Sequence, residues 1–219
     1  MTRPETLPPA DLFEYERRSM TLQPGAVLLG GFAAPDADAL LAVVRRIEAT
    51  APFRNMVTPG GWPMSVAMTN CGSVGWTTDR TGYRYAPLDP ASGDPWPPMP
   101  DLFRSLAASA AEVAGYPAFS PDSCLVNRYE PGSRLSLHQD RNERDFDAPI
   151  VSVSLGLPAT FLWGGVTRSD KPTRVRLFHG DVVVWGGPAR LTFHGIDTLR
   201  DGESPLGSFR YNLTFRAAC

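Results

Sequence analysis

Only three histidines occur in this 219-residue chain, His138, His179 and His194, so any histidine-dependent metal site must be drawn from them. Leu135-Ser136-Leu137-His138-Gln139-Asp140 alternates apolar and polar residues. In a strand, His138 and Asp140 stand two residues apart and project from one face. A histidine and a carboxylate so placed can ligate one metal ion, and His194 is the natural third donor. Two histidines and one carboxylate with positions left open is the donor set of non-haem Fe(II) oxygenases. A His-x-Asp pair alone is a weak signal, and a second one competes: His179-Gly180-Asp181. There, however, Gly180-Asp181 reads as the turn before the apolar run Val182–Trp185, which makes Asp181 a turn carboxylate. His138, Asp140 and His194 are therefore the preferred set.

The last strand carries the second chemical signal. In RYNLTFR, Arg210, Asn212, Thr214 and Arg216 share one face, while Tyr211, Leu213 and Phe215 share the other. The two arginines stand ~20 Å apart along an extended chain. Either the polar face lies at a solvent-facing edge, or it points into a barrel and its charges need anions there. A dicarboxylate co-substrate, or one carboxylate plus an acidic protein ligand, would satisfy them as charge-assisted pairs. Asn127 and Tyr129 likewise share a face and could hydrogen-bond a carboxylate, or could be ordinary polarity at a barrel mouth.

These residues need elements to position them. From Cys124 onward, short strands alternate with turns: 124–129, 134–138, 149–157, 159–163, 173–179, 181–185, 190–194 and 209–216. Eight such strands predict an antiparallel sandwich or jelly roll. Upstream, 26–32 reads as an apolar strand. Pro35 opens a helix with Leu40, Leu41, Val44 and Ile47 on one face. A second helix runs over about 100–114, with a stripe of Leu102, Phe103, Leu106, Ala110 and Val113 and Gly115 just past its end. Between the helices, 51–98 is rich in Pro, Gly, Thr and aromatics, with strand-like runs at 64–70 and 82–86. It reads equally as a β-rich flap or a long connection. Residues 1–23 read as a loose N-terminal arm.

Composition narrows the classes. Hydrophobic residues make up 42% and charged residues 20%, as in ordinary globular proteins. No apolar run approaches the ~18 residues that span a bilayer, and 1–18 has no apolar leader core. Cys71, Cys124 and Cys219 form no CxxC, which excludes a cysteine zinc site and fits the reducing cytoplasm. A net charge of -2 argues against a protein that coats nucleic acid, though not against one that grips it locally. Lys171 is the sole lysine among 21 basic residues, a skew best explained by compositional bias.

Five segments together give a specific likeness: PFRNMVTPGGWPMSVAMTNCGSVGWTTDRTGYRY (52–85), NRYEPGSRLSLHQD (127–140), APIVSVSLGLPATF (148–161), HGDVVVWGG (179–187) and RYNLTFR (210–216). Over about 24–216 the sequence resembles the AlkB family of Fe(II)- and 2-oxoglutarate-dependent nucleic-acid dealkylating dioxygenases. The resemblance implies a mainly β, α+β fold: a double-stranded β-helix (jelly-roll) core over 124–216, flanking helices, and a β-rich nucleotide-recognition lid over 52–98. All of these fall within one dioxygenase domain, 24–219.

It implies Fe(II) held by His138, Asp140 and His194, and 2-oxoglutarate held by Asn127, Tyr129, Arg210, Asn212 and Arg216. O2 is the oxidant. Met64, Trp76, Tyr83, Asn142 and Arg168 match substrate-facing positions, with Trp76 a stacking platform opposite His138. The implied activity is direct repair of N-alkylated bases such as 1-methyladenine and 3-methylcytosine in single-stranded DNA, with RNA a further candidate. It would act in the cytoplasm, and nothing in the sequence demands more than a monomer. One departure stands out. The family carries an acidic residue two positions after the metal aspartate, and here that position is Asn142, which offers hydrogen bonds but no charge to a cationic base. The alternatives are an oxygenase of the same chemistry acting on a small molecule or protein side chain, and a jelly-roll binding module without turnover.

Overall fold

The computed structural model describes residues 19–204 and 206–219. Residues 1–18 of the expected N-terminal arm lie outside the described residues. The end of that arm is a strand: β1 (Met20–Gln23) pairs antiparallel with β2 (Ala26–Leu29). Two helices follow the predicted periodicity. In α1 (Ala37–Thr50), Leu40, Leu41, Val44 and Ile47 are buried, and Ala37 and Val43 join them. In α2 (Asp101–Val113), Phe103, Leu106, Ala107, Ala110 and Ala111 form the buried face. Val113 does not belong to that face: it is 62% exposed, because the small alanines at 107 and 111 carry the stripe instead.

The remaining strands are β3 (Arg54–Val57), β4 (Pro63–Gly72), β5 (Gly75–Asp79), β6 (Gly82–Ala86), β7 (Ser123–Tyr129), β8 (Leu135–His138), β9 (Ile150–Gly156), β10 (Ala159–Trp163), β11 (Thr173–Leu177), β12 (Val182–Trp185), β13 (His194–Ile196) and β14 (Arg210–Arg216). An eight-stranded sheet has the order β1-β2-β12-β9-β14-β7-β4-β3, and a four-stranded sheet the order β11-β10-β13-β8. This is the expected mainly β, jelly-roll architecture with flanking helices. One apolar cluster joins both helices to the large sheet through Val153, Leu213 and Phe215. A second, with Phe161, Trp163, Leu177 and Trp185, fills the space between the sheets. Strand β14 lies centrally between β9 and β7, so its Arg-Asn-Thr-Arg face is interior rather than an exposed edge.

Local features differ from the sequence expectation, among them β3, which was not predicted. The strand expected at 190–194 begins only at His194. A 3-10 turn, Gly187–Ala189, containing Pro188, precedes it, and 190–193 continue as turn and irregular chain. Strand β5 was not predicted, because GWTTD carries residues that strands disfavour at both ends. It pairs with β6 as a separate two-stranded hairpin. Asn70 on β4 tethers it: its Nδ2 donates to the Trp76 carbonyl (3.0 Å), and the Trp76 N–H donates to its Oδ1 (3.0 Å). Gly75 is required there, since a Cβ would lie 2.5 Å from the Trp96 ring.

Candidate active site

Strands β8 and β13 pair antiparallel, with His138 directly opposite His194. Close approach of the two strands depends on Gly195, where a Cβ would lie 2.6 Å from the Leu135 carbonyl oxygen. The imidazole centroids are 4.4 Å apart. Asp140 lies just past the end of β8, its carboxylate 3.8 Å from Nε2 of each histidine. One donor atom from each of the three residues falls within 4.8 Å of the others. His138 Nδ1 donates to the Ser136 carbonyl (2.9 Å) and His194 Nδ1 to the Thr192 carbonyl (3.0 Å). Because a carbonyl only accepts, Nδ1 of each ring is the donor, which leaves each Nε2 facing Asp140. Burial, reinforced by His138, pushes His194 down to about 4, so it is neutral at pH 7. Burial pushes the Asp140 carboxyl up, but Arg216, then His194 and His138, outweigh it and hold it well below the usual carboxylate range. Two imidazoles and a carboxylate suit a divalent cation with positions left open.

The competing pair is engaged elsewhere. Asp181 accepts from the Gly31 N–H (2.8 Å) and the Phe178 N–H (2.7 Å), as a turn carboxylate should. His179 Nδ1 accepts from the Gly156 N–H (3.0 Å).

Beside the three donors, β14 turns its polar face into a cleft of about 730 Å³. Arg210 and Arg216 are both buried. Arg210 Nη2 donates to Ser154 Oγ (3.0 Å), and its guanidinium lies over the Tyr129 ring at 5.0 Å. Arg216 donates through Nε (3.1 Å) and Nη2 (2.8 Å) to Asp140 Oδ2. Asn212 donates to Ser152 Oγ (2.8 Å) and the Val153 carbonyl (3.1 Å), and accepts from Asn127 Nδ2 (3.3 Å). Among the described residues, Arg210 Nε and Nη1 and Arg216 Nη1 are buried without a hydrogen-bond acceptor. Buried guanidinium N–H groups left over in this way fit a ligand with two carboxylates, which would supply the missing acceptors. Desolvation lowers the Arg210 pKa from its ordinary value, a cost that an anionic ligand would relieve.

The mouth of the cleft is aromatic. Trp76 on β5 and Tyr83 on β6 stack at 5.7 Å with planes 22° apart. Trp76 Nε1 donates to Asn142 Oδ1 (3.2 Å), so the amide at 142 fixes the indole edge. Met64 on β4 and Arg168, whose guanidinium lies 6.0 Å from the Phe193 ring, also line the cleft. Every residue singled out for iron, co-substrate or substrate thus lines one cleft: Met64, Trp76, Tyr83, Asn127, Tyr129, His138, Asp140, Asn142, Arg168, His194, Arg210, Asn212 and Arg216. Sequence reasoning missed Tyr85, Glu143 and Arg190, a buried group packed against Asp140 and Arg216. Glu143 and Arg190 lie outside strands and Tyr85 on β6, and no local pattern shows that the three meet. Ser152 and Ser154, which brace Asn212 and Arg210, were legible only as part of a buried strand.

Residues 25–216 match the 2OG-Fe(II) oxygenase superfamily. The alpha-ketoglutarate-dependent dioxygenase AlkB of Salmonella typhimurium is 58% identical, with 90% of this chain and 92% of that protein covered. The DNA N(6)-methyladenine demethylase ALKBH1D of Arabidopsis thaliana is 29% identical, with 93% of this chain and 51% of that protein covered. The solved structure of OsALKBH1 superposes with a TM-score of 0.79 at 30% identity, covering 90% of this chain and all of that one.

Proposed function

The chain belongs to the 2OG-Fe(II) oxygenase superfamily, within its AlkB proteins, and on that premise we propose that it oxidatively removes N-alkyl groups from nucleic-acid bases. It is an Fe(II)- and 2-oxoglutarate-dependent dioxygenase. Its substrates are bases such as 1-methyladenine and 3-methylcytosine in single-stranded DNA, with RNA as a further target, and it acts as a cytoplasmic monomer. The observation that carries this reading is the convergence on one cleft of three metal donors, two buried arginines with free N–H groups and an aromatic mouth. The demethylase relative supports a nucleic-acid substrate.

Each group has a distinct task. His138, Asp140 and His194 hold Fe(II). When bound, the metal supplies the activation of O2 that couples decarboxylation of 2-oxoglutarate to oxidation of the alkyl carbon. Succinate, CO2 and formaldehyde are the products. Arg210 and Arg216 bind the two ends of the keto acid as charge-assisted forks. Asn127, Tyr129 and Asn212 complete that wall. The interior cluster of Phe161, Trp163 and Trp185 around His194 excludes water.

A lesion on the Watson–Crick edge is unreachable inside a duplex, so the enzyme takes single strands or an extruded base. Residues 52–98 serve as the lid over that base, within a single catalytic domain spanning 24–219. Trp76 and Tyr83 offer π faces to it, and Met64, Asn142 and Arg168 line its path. The net charge of -2 agrees with a grip of few phosphate contacts.

The deciding measurement is formaldehyde release from single-stranded oligonucleotides bearing 1-methyladenine or 3-methylcytosine, with Fe(II), 2-oxoglutarate and ascorbate. Formaldehyde and succinate in equal amounts are expected. Succinate without formaldehyde from any such oligonucleotide would move the substrate to a small molecule or a protein side chain. Trp76→Ala should weaken binding of the methylated oligonucleotide by about 1–3 kcal/mol, the worth of one base–aromatic stack. Succinate formation in the absence of nucleic acid should be nearly unchanged. Equal loss of both would assign Trp76 to the folding of the lid instead.

A further inference from the structure

Glu143 is a buried carboxylate that takes no part in the metal donor set. It sits in the loop after β8, enclosed by groups from three other parts of the fold. Arg190 Nη2 donates to its Oε2 (3.1 Å), while Arg190 Nη1 donates to the Asp140 carbonyl (2.9 Å) and Nε to the Ala148 carbonyl (3.1 Å). Arg190 therefore clamps the loop and fixes one carboxylate oxygen. The other, Oε1, faces Arg216 Nε at 3.4 Å and accepts from the Tyr85 hydroxyl at 2.5 Å. Tyr85 is on β6, in the hairpin that forms the cleft mouth.

The geometry bears on Arg216. Its Nε and Nη2 are held by Asp140, its Nε also faces Glu143, and its Nη1 has no acceptor among the described residues. Two carboxylates on one edge of a planar guanidinium set the orientation of its plane, and hence the direction in which Nη1 points. The Tyr85 hydroxyl is not needed to balance charge, because Asp140 and Glu143 already match Arg190 and Arg216 one for one. What it adds is a tie to the lid. Tyr83 and Tyr85 are two residues apart on β6 and share a face, and Trp76 is the register partner of Tyr85 on β5. The residues that meet the base and the hydroxyl that meets Glu143 thus sit on one small rigid hairpin.

We propose that Tyr85 and Glu143 form a latch through which the lid positions the Arg216 guanidinium for the carboxylate of 2-oxoglutarate. Tyr85 is a positioning residue: it touches neither metal nor co-substrate and acts through Glu143. The inference rests on the reading of the cleft given above. By linkage, closure of the hairpin over a base strengthens 2-oxoglutarate binding, and bound 2-oxoglutarate strengthens closure by the same factor.

The test is calorimetric titration of 2-oxoglutarate into the full chain loaded with Mn(II), with and without a methylated single-stranded oligonucleotide. No turnover is read. Tyr85→Phe keeps the ring and removes only the hydroxyl. It should weaken 2-oxoglutarate binding about three- to tenfold, the loss expected for one ordinary hydrogen bond. The oligonucleotide should tighten 2-oxoglutarate binding in the wild type and not in Tyr85→Phe. Glu143→Gln should weaken binding by a similar factor, and the double variant should be no worse than Glu143→Gln alone, since both act through one contact. Where Glu143→Gln fails to fold, Tyr85→Phe alone decides.

A dissociation constant for Tyr85→Phe within twofold of wild type, with the oligonucleotide effect intact, overturns the latch. So does strict additivity of the two substitutions. Failure of the wild-type protein to bind 2-oxoglutarate at all would instead remove the reading of the cleft, and the latch with it.

Discussion

Alanine in place of Asp140 is expected to abolish turnover and to lower the melting temperature of the metal-free protein by roughly 6–20 °C. The two losses have separate causes. The first is removal of the only carboxylate among the three proposed metal donors. The second is independent of metal. Asp140 accepts two hydrogen bonds from buried Arg216, and removing one partner of a buried ion pair costs about 3–5 kcal/mol because the other charge loses its short contacts, here keeping only the longer one to Glu143 (3.4 Å) among the described residues. In a chain of this size each kcal/mol is worth about 2–4 °C. Asp140→Asn keeps an acceptor for Arg216 and should recover much of the stability but not the activity. His138→Ala separates the effects further. His138 is one-third exposed, and its side chain hydrogen-bonds its own strand, at the Ser136 carbonyl. It should lose turnover with little change in melting temperature. Scanning calorimetry of the metal-free proteins, beside formaldehyde release, reads both quantities. A melting temperature for Asp140→Ala equal to that of His138→Ala would contradict the role given to the Asp140–Arg216 pair.

Why some of this was legible in the sequence follows from periodicity. Period-two alternation in LSLHQD and RYNLTFR placed the donors and the arginines on common faces, since the rule needs only local backbone geometry. Which His-x-Asp pair faces the cleft was not a local property. Asp181 differs from Asp140 because a turn brings the Gly31 and Phe178 N–H groups to it, and the Gly31 contact spans most of the chain. Strand β14 likewise showed two faces but not that it is the centre of the large sheet, a fact set by pairing with β7 and β9. Tyr85, Glu143 and Arg190 were not singled out, because no run of residues, alternating or not, shows that the three meet. Their meaning lies in contacts 47 and 58 residues apart. The misplaced strand at 190–194 has the same root: Arg190 reads as one more polar strand residue, yet it is buried to tie down the loop after Asp140.

The two arginines of β14 looked equivalent in sequence, and substitution should show that they are not. Arg210→Met is expected to raise the 2-oxoglutarate dissociation constant by about 30- to several thousand-fold, from a loss of about 2–5 kcal/mol for truncating one partner of a buried charge pair. The nucleic-acid requirement should change far less. Yet the ligand-free protein should melt no lower than wild type. Among the described residues, Arg210 donates to the Ser154 hydroxyl and lies over the Tyr129 ring with no carboxylate beside it, so in the absence of an anion its charge is buried at a cost. A methionine of comparable length removes that cost. Saturating 2-oxoglutarate with Mn(II) should raise the wild-type melting temperature by several degrees, since a ligand at 100 times its dissociation constant contributes about 2.7 kcal/mol, and should leave Arg210→Met where it was. Arg216→Met should behave in the opposite way. It strands Asp140 as a buried, unmatched carboxylate and leaves Glu143 to Arg190, so the protein should lose stability before any ligand is added. If Arg210→Met instead destabilised the ligand-free protein as severely as Arg216→Met, Arg210 would be a structural ion and the co-substrate wall would have to be drawn elsewhere. The contrast is one of design: one arginine is neutralised by the protein, and the other is held in reserve for the ligand.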